Sequence, residues 1–378
     1  MTNQVLIIGG YGRIGSSVAR DLANYTNSEI TITGRKAKVN LQEFSISGVK
    51  YLALDLADKE RVKNIINSYN KSSENLVIHC AGPFHNRDAN VLKNCIEAGL
   101  NYVDISDCRD FTCKALEYSE AAQNAGVTAI INTGIFPGIS NSLSRQSVEQ
   151  FDEPEEIHLS YLVGGSGGAG VTVMRTTFLG LQNDFEAWIN GKWQSVKPYS
   201  DRQVIEFPPP YGKIGVYWFD MPESLTLANS FPVKTVTTKF GSFPNFYNHL
   251  TWITAHLFPV SLLKNSGVIE FLSQVSYKMT QVTDKYSGTG VVIKVEVIGK
   301  KSGAKDNFCS SIIYEDTATV TGMGTGGIAE LILSKKLNKP GVWSVENSLS
   351  TELFEEVMQS RGFVKNYGNK SVVYQSLN

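Results

Sequence analysis

The chain opens with Val5-Leu6-Ile7-Ile8, turns through Gly9-Gly10-Tyr11-Gly12-Arg13-Ile14-Gly15, and continues with Ile14, Val18 and Leu22 at helical spacing. A buried-type strand, a Gly10-x-Gly12-x-x-Gly15 turn and an amphipathic helix, in that order, predict the first βα unit of a dinucleotide-binding sheet. Gly10 permits the tight turn, Gly12 has no side chain to hold the backbone away from a pyrophosphate, and Gly15 lets the helix pack on the strand. The helix N-terminus then offers N–H groups to the phosphates, with Tyr11, Arg13 and Ile14 beside them. The chain has 33 glycines, so the triplet alone carries little, and a structural βα turn would use the same residues. Strand and helix are read independently of the glycines, and that context supplies the weight.

Coenzyme choice is read at the end of the second strand, Ile30-Thr31-Ile32-Thr33. An NAD enzyme places a carboxylate there, about 20 residues past the glycines, on the ribose 2′-hydroxyl. Here the strand runs into Gly34-Arg35-Lys36, with no carboxylate and two cations. Arg35 can hold a 2′-phosphate bidentately with Lys36 or Thr33 beside it, so NADP(H) is expected in preference to NAD(H). A solvated loop would carry the same two cations. Asp55 and Leu56, closing the third strand, are expected on the adenine side; Asp55 could equally cap the helix that starts near Lys59.

A length of 378 residues predicts two domains, each large enough to bury a core. Lys and Arg number 35 against 36 Asp and Glu, and a net charge of −1 gives no electrostatic case for nucleic acid or an anionic membrane. Partners are expected to be a small-molecule substrate and other protein surfaces. Cys80, Cys95, Cys108, Cys113 and Cys309 are odd in number and lack metal-ligand or CxxC spacing, so they read as reduced thiols. The first strand lies within a few residues of Met1, too close for a secretory leader, and a cytoplasmic location is expected. Leu250 to Leu263 is apolar but interrupted by His256 and Pro259 and too short to span a bilayer; it reads as a core or pocket-lining helix.

Strands are expected near 4–8, 29–33, 50–54, 76–80, 101–105 and 127–132, alternating with helical patterns. This is the rhythm of an α/β fold with a doubly wound parallel sheet. Near Ile157 the pattern changes to longer β-rich runs, including 157–163, 233–239 and 290–298, with Gly-rich 164–170 between them. Helices follow over Ile328–Leu337 and Thr351–Gln359, and a last strand near Ser371–Tyr374. The expected organisation is a dinucleotide-binding domain over 1–138, an inserted mixed α/β substrate and dimerisation domain over 139–324, and a tail over 325–378 that packs back on the first domain.

Ligands of open α/β sheets sit at the carboxyl ends of the strands. There the fourth strand runs into Cys80-Ala81-Gly82-Pro83-Phe84, expected to flank the coenzyme, with Phe84 closing over ribose or nicotinamide. His85 follows, either a proton donor or an exposed loop residue. Asp104, Ser106 and Asp107 stand at the end of the fifth strand, where one could orient an amine or relay a proton, or simply cap the next helix. Thr133-Gly134-Ile135-Phe136-Pro137-Gly138 follows the sixth strand; Phe136, Pro137 and Gly138 suit backbone packed on a nicotinamide, or a hinge.

Taken together, Gly10-Tyr11-Gly12-Arg13-Ile14-Gly15, Gly34-Arg35, Cys80 to Phe84, Cys95-Ile96-Glu97-Ala98-Gly99 with Tyr102-Val103-Asp104, Phe136-Pro137-Gly138, Gly168-Ala169-Gly170, Pro222-Glu223, Pro340-Gly341-Val342 and Arg361-Gly362 resemble the saccharopine dehydrogenase-like family. The resemblance implies a Rossmann domain completed partly by the C-terminal tail and an inserted mixed α/β domain; a homodimer is expected. It also implies NAD(P)H-dependent reduction of an imine formed from an amine and a carbonyl compound, or the reverse, with saccharopine and carboxynorspermidine as examples. Other relatives resemble double-bond reductases.

A substrate with several carboxylates calls for convergent cations. Between Gly164 and Gly290 only Arg175 and Arg202 are arginines, and Phe240 to Leu263 is rich in aromatic residues. Arg175 is the leading anion clamp, and Glu223 could orient an amine or serve as a helix-start carboxylate. The expected activity is hydride transfer to or from a C=N bond, with Asp107, His85 and Arg175 as the candidate chemical residues. Reduction of a conjugated C=C in a hydrophobic substrate, and NADP(H) sensing without turnover, are the alternatives.

Overall fold

A computed structural model describes residues 3–37, 39, 48–69, 75–168 and 170–376. Ala169, in the middle of Gly168-Ala169-Gly170, therefore lies outside the described residues. The chain forms two compact units, Met1–Ile139 with Ala318–Arg361, and Ser140–Thr317 with Gly362–Asn378.

The first unit begins with β1 (Gln4–Ile8), α1 (Arg13–Tyr25), β2 (Glu29–Gly34), β3 (Lys50–Ala53), α2 (Lys59–Ser68), β4 (Leu76–His79), α3 (Asn90–Ala98), β5 (Asn101–Asp104), α4 (Arg109–Leu116), α5 (Ser119–Asn124) and β6 (Thr128–Ile130). All strand pairings are parallel, with Ile7 of β1 opposite both Ile32 and Ile78. Apolar side chains on every strand explain this: a sheet covered by helices on both faces needs continuous hydrophobic runs rather than alternation. Leu6, Ile8, Val77, Leu92, Tyr102 and Phe111 belong to one buried cluster under the helices.

The second unit holds α6 (Ser140–Val148), β7 (Glu153–Gly164), α7 (Val171–Leu179), β8 (Phe185–Ile189), β9 (Lys192–Val196), β10 (Gln203–Phe207), β11 (Gly212–Trp218), α8 (Glu223–Ser230), β12 (Thr235–Phe243), α9 (Phe246–Leu257), α10 (Val260–Leu263), α11 (Ser266–Ser287), β13 (Gly290–Lys301) and β14 (Ala304–Tyr314). The chain then returns to the first unit with α12 (Thr317–Leu333), β15 (Gly341–Trp343), α13 (Val345–Ser348) and α14 (Thr351–Ser360). It ends as a hairpin of β16 (Phe363–Gly368) and β17 (Ser371–Ser376). The first sheet has the order β15-β6-β5-β4-β1-β2-β3, so β15 extends it beyond β6. The second is a mixed ten-stranded sheet with the main path β10-β11-β12-β7-β13-β14-β17-β16, β8 being attached to β12 and β9 to β8.

The tail differs from expectation in two ways. β17 pairs in parallel with β14, setting Val372 beside Ser310 and Tyr374 beside Ile312, so the last strand belongs to the second sheet and not to the nucleotide domain. A pairing across so many residues has no local signature in the chain. In addition, α12 starts well before Ile328, running through Thr321-Gly322-Met323-Gly324-Thr325-Gly326-Gly327. Glycine disfavours an isolated helix, but here it is required: a Cβ on Gly322 would lie 2.7 Å from the Ser17 backbone, and one on Gly326 would lie 2.1 Å from the Asp21 carboxylate. These two glycines let α12 press against α1.

No helix among the described residues is long and apolar enough to cross a membrane. Nor is the 250–263 stretch a buried helix. It divides into α9 and α10, and Leu250, Trp252, Ile253, Leu257, Val260 and Leu262 are exposed.

Candidate coenzyme site

The turn from β1 into α1 is held by backbone hydrogen bonds, Gly10 N–H to Ile7 O at 3.1 Å and Gly12 N–H to Gly9 O at 2.9 Å. Tyr11 N–H donates to Thr33 O at 3.0 Å, which ties the turn to β2. The left-handed residue is Gly9, at φ 78°, rather than Gly10. Gly10 is needed for space, since its Cβ would lie 2.7 Å from the Ile32 side chain. A Cβ on Gly15 would meet Gly9 O at 2.5 Å, and one on Gly9 would meet Ala81 Cα at 2.8 Å. Gly12 differs from these three: its Cβ would meet a single atom, Gly9 O, at 3.1 Å. Its lack of a side chain is therefore only weakly demanded by packing, as a position left open for a ligand should be. No side chain caps α1 and its first turn holds no carboxylate, so nothing acidic competes with a pyrophosphate for this end. The cradle fits a dinucleotide.

Thr33, expected beside the 2′-phosphate, is buried, and its Oγ1 accepts from Gly9 N–H at 3.0 Å. It braces the turn and does not face a ligand. Arg35 and Lys36 are exposed beyond β2. The Lys36 ammonium lies over the Tyr11 ring, 5.4 Å from its centroid, while Tyr51 donates to Lys36 O at 2.5 Å. Asp55 does not cap α2: it accepts from Ala57 N–H within its own turn, and Asp58 caps the helix through Arg61 N–H.

Arg35, Asp55 and Leu56 line one cavity of about 450 Å³, together with His79, Arg87 and Asn90. Sequence reasoning missed His79 and Arg87 here, among others. Arg87 is half-buried and donates from Nε to Ala81 O at 2.9 Å. Burial first, and then the Arg35 guanidinium, push Arg87 below its ordinary value, while Asp55 and Asp88 pull the other way. Burial, helped by Arg87, pushes His79 down to about 3, so its ring is neutral, with Nδ1 3.2 Å from the Tyr102 hydroxyl. One signal pointed to this cluster: Arg87 follows the fourth strand by only a few residues, at the edge where ligands gather.

After β4, Ala81, Gly82 and Pro83 are half-buried, but Phe84 is not placed to cover a coenzyme. Its ring is buried in the core, edge-on to His79 at 4.9 Å and to Phe111 at 5.0 Å, because an aromatic ring gains more from that cluster than from the loop surface. Cys80, alongside, has its thiol pushed far up by burial and holds its proton. Asp104 is likewise no ligand-facing group. It is fully buried, and Oδ1 accepts from Ser106 N–H at 3.0 Å and Asn132 N–H at 2.9 Å. Burial lifts its carboxyl to about 6 against the pull of those two donors. After β6, Pro137 and Gly138 are buried and Phe136 is half-buried, with Gly138 at φ 128°.

The three residues expected to carry chemistry are scattered in environment. His85 is exposed and Asp107 half-buried at the entry to α4, where Cys108 stands at the N-cap. Arg175, in the second unit, is held by Glu270 through Nε at 2.9 Å and an Nη at 2.5 Å, so the expected anion clamp already has an anion. Glu223 is fully buried and accepts from Tyr161 at 2.8 Å and Ser140 at 2.7 Å, which organises this unit's interior.

Residues 5–130 match the family model of the saccharopine dehydrogenase NADP binding domain. Carboxynorspermidine synthase of Vibrio alginolyticus is 25% identical over 93% of this chain and 94% of its own. Residues 5–130 are thus of the saccharopine dehydrogenase NADP-binding type. They lie in the first unit, and an NADP-binding domain there agrees with the cations after β2. Carboxyaminopropylagmatine dehydrogenase of Synechocystis sp. is 23% identical over 75% of each chain. Among solved structures, apo saccharopine dehydrogenase (L-Glu forming) from Saccharomyces cerevisiae superposes with a TM-score of 0.66 at 14% identity, covering 94% of this chain and 96% of that one. That last likeness concerns the fold.

Proposed function

We propose that this saccharopine dehydrogenase-like chain is an NADP(H)-dependent oxidoreductase that moves a hydride to or from a carbon–nitrogen bond, reducing an imine to a secondary amine or running in reverse. The observation that carries the reading is the phosphate cradle at Gly12, set in one unit with a cavity lined by Arg35, Asp55 and Leu56. Relatives named for carboxynorspermidine and carboxyaminopropylagmatine support the choice of a secondary-amine substrate. A bound nicotinamide supplies or takes up the hydride. The chain's own residues bind and orient: the N-terminus of α1 takes the pyrophosphate, Arg35 takes the 2′-phosphate, and Ala81 to Pro83 with Phe136 support the coenzyme. Of the candidate chemical residues, Asp107 is the one we assign to moving the proton at nitrogen, because it stands at the carboxyl edge of the sheet and is partly shielded from water.

Nicotinamide absorbance tests the reading. Steady NADPH oxidation is expected only when a polyamine or diamine and a carbonyl partner are both present. Oxidation by a conjugated enone alone would replace the reading with C=C reduction, and tight NADPH binding without turnover across the panel would replace it with a sensor. The cysteines, none in a disulfide among the described residues, support a reducing cytoplasmic location.

A homodimer is part of the same proposal. On α11, Phe271, Val282 and Tyr286 are 66%, 63% and 89% exposed, and Val275 lies on the same face. Phe271, Val275, Val282 and Tyr286 are spaced symmetrically about the midpoint of Lys278 and Met279. An antiparallel two-fold pairing therefore sets Phe271 against Tyr286 and Val275 against Val282 of a second copy, the self-complementarity an isologous contact requires. Light scattering should give twice the chain mass for the wild type and the single-chain mass for Phe271→Glu with Val282→Glu; a monomeric wild type removes the proposal.

A further inference from the structure

We propose that Arg87 is a second cation for the coenzyme's 2′-phosphate, sharing that group with Arg35 and so setting the preference for NADPH over NADH. The inference rests on the coenzyme reading above and deepens it. Two guanidinium groups, one from the loop after β2 and one from the loop after β4, line the same cavity. Among the described residues neither forms an ion pair with a carboxylate. The nearby Lys59 is different, since Asp88 takes it at 3.0 Å. Arg87 is fastened by its Nε to Ala81 O at 2.9 Å, which pre-orients the planar fork. After burial, the Arg35 guanidinium is the largest influence against the charge on Arg87, with Asp55 and Asp88 acting the other way. Lys59, Lys63, Asp55, Glu60 and Asp88 also line the cavity, and within that mixed lining the two guanidinium groups, neither taken by a carboxylate of the described residues, are the forks that a doubly charged anion can bridge. Asp55 and Leu56, expected on the adenine side, line the same cavity, which points to the adenosine end and so to the phosphate on the ribose.

The sequence pattern located Arg35 because it follows β2, where coenzyme discrimination is commonly read. Arg87 lies far along the chain from it, and only the parallel order β4-β1-β2 brings the two loops to one edge.

The test is fluorescence titration of the full chain with NADPH and with NADH, for wild type, Arg87→Ala and Arg87→Gln, with thermal melts on each. The expected result is a rise of at least tenfold in Kd for NADPH in both variants, about 1.4 kcal/mol, with Kd for NADH changed less than twofold. Arg87→Gln can retain a hydrogen bond to Ala81 O, so a selective loss there as well assigns the effect to charge. Equal weakening of both coenzymes would make Arg87 a support for adenosine or for the loop, and unchanged NADPH binding would remove it from the site; either result overturns the inference. Failure of the underlying reading looks different: the wild type would then bind neither coenzyme, or bind NADH more tightly.

Discussion

Replacing Gly12 by alanine separates the ligand's demand for glycine from the fold's. Gly12 has φ −72° and ψ 165°, a conformation open to any L-residue, so no backbone strain follows. The new Cβ would meet only Gly9 O, at 3.1 Å, a few tenths of an ångström inside comfortable contact. Restricting the unfolded chain adds about 0.4–1 kcal/mol to stability, which offsets that crowding. The net change should be within about 1 kcal/mol, a shift in Tm of no more than about 4 °C for a unit of this size. Binding should respond differently. A phosphate oxygen that accepts from a backbone N–H sits about 2.9 Å away, while a methyl carbon holds it at about 3.5 Å or more. Loss of one charge-assisted hydrogen bond costs about 1.5–3 kcal/mol, a rise in Kd of roughly 10- to 100-fold. Fluorescence titration with NADPH, alongside a thermal melt, reads both quantities. Gly15→Ala is the contrast: its Cβ would strike Gly9 O at 2.5 Å and Gly10 Cα at 2.6 Å, backbone atoms that cannot swing aside, so it should lower Tm whether or not coenzyme is present. A folded Gly12→Ala protein that binds NADPH as tightly as wild type would refute the cradle.

Asp104 makes stability fall as pH rises. Its folded value, about 6, is above the ordinary 3.8, so its contribution is complete below about pH 4 and is lost as pH passes through 6. Two units correspond to about 3 kcal/mol. Urea titrations should therefore show Asp104→Asn gaining about that much relative to wild type between pH 4 and pH 7.5, and a pH-independent difference would contradict the assignment. Arg361 is buried and held by Asp21 at 2.7 Å and Glu330 at 3.0 Å. Removing the guanidinium in Arg361→Met strands those carboxylates and should cost about 3 kcal/mol or more in urea unfolding; a loss under about 1 kcal/mol would show that the pair holds little together. For the proposed proton route, Asp107→Asn should lower kcat by about 100-fold with Kd for NADPH unchanged, and an unaltered kcat would release Asp107 from that role.

Much of the first unit was legible because its information is local. Val5 to Ile8, Ile30 to Thr33 and Val77 to His79 are apolar runs bounded by turn residues, and each became a parallel strand in the expected place. That Arg35, Asp55 and Leu56 gather at one cavity follows from the same local pattern, since residues just past the strand ends meet at the carboxyl edge of such a sheet. Thr33, Phe84 and Asp104 were misread because proximity in sequence to a strand end does not say which way a side chain faces. All three turned inward, where an unpaired hydroxyl or carboxylate can be satisfied and a ring can be packed. Arg175 failed for a related reason: a lone arginine in a sequence looks available until the helix that carries Glu270 is set beside it.

The chain's periodicities and turn residues determined that a βα unit with a phosphate cradle would form and that cations would follow its second strand, because these features need only neighbours a few residues apart. Tertiary structure alone decided that Gly322 and Gly326 stay helical against α1, that β17 joins β14, and that Arg87 faces the cavity Arg35 lines. Each of those depends on packing or charge between segments far apart in the chain, where the free energy of contact overrides local preference and leaves no periodic trace.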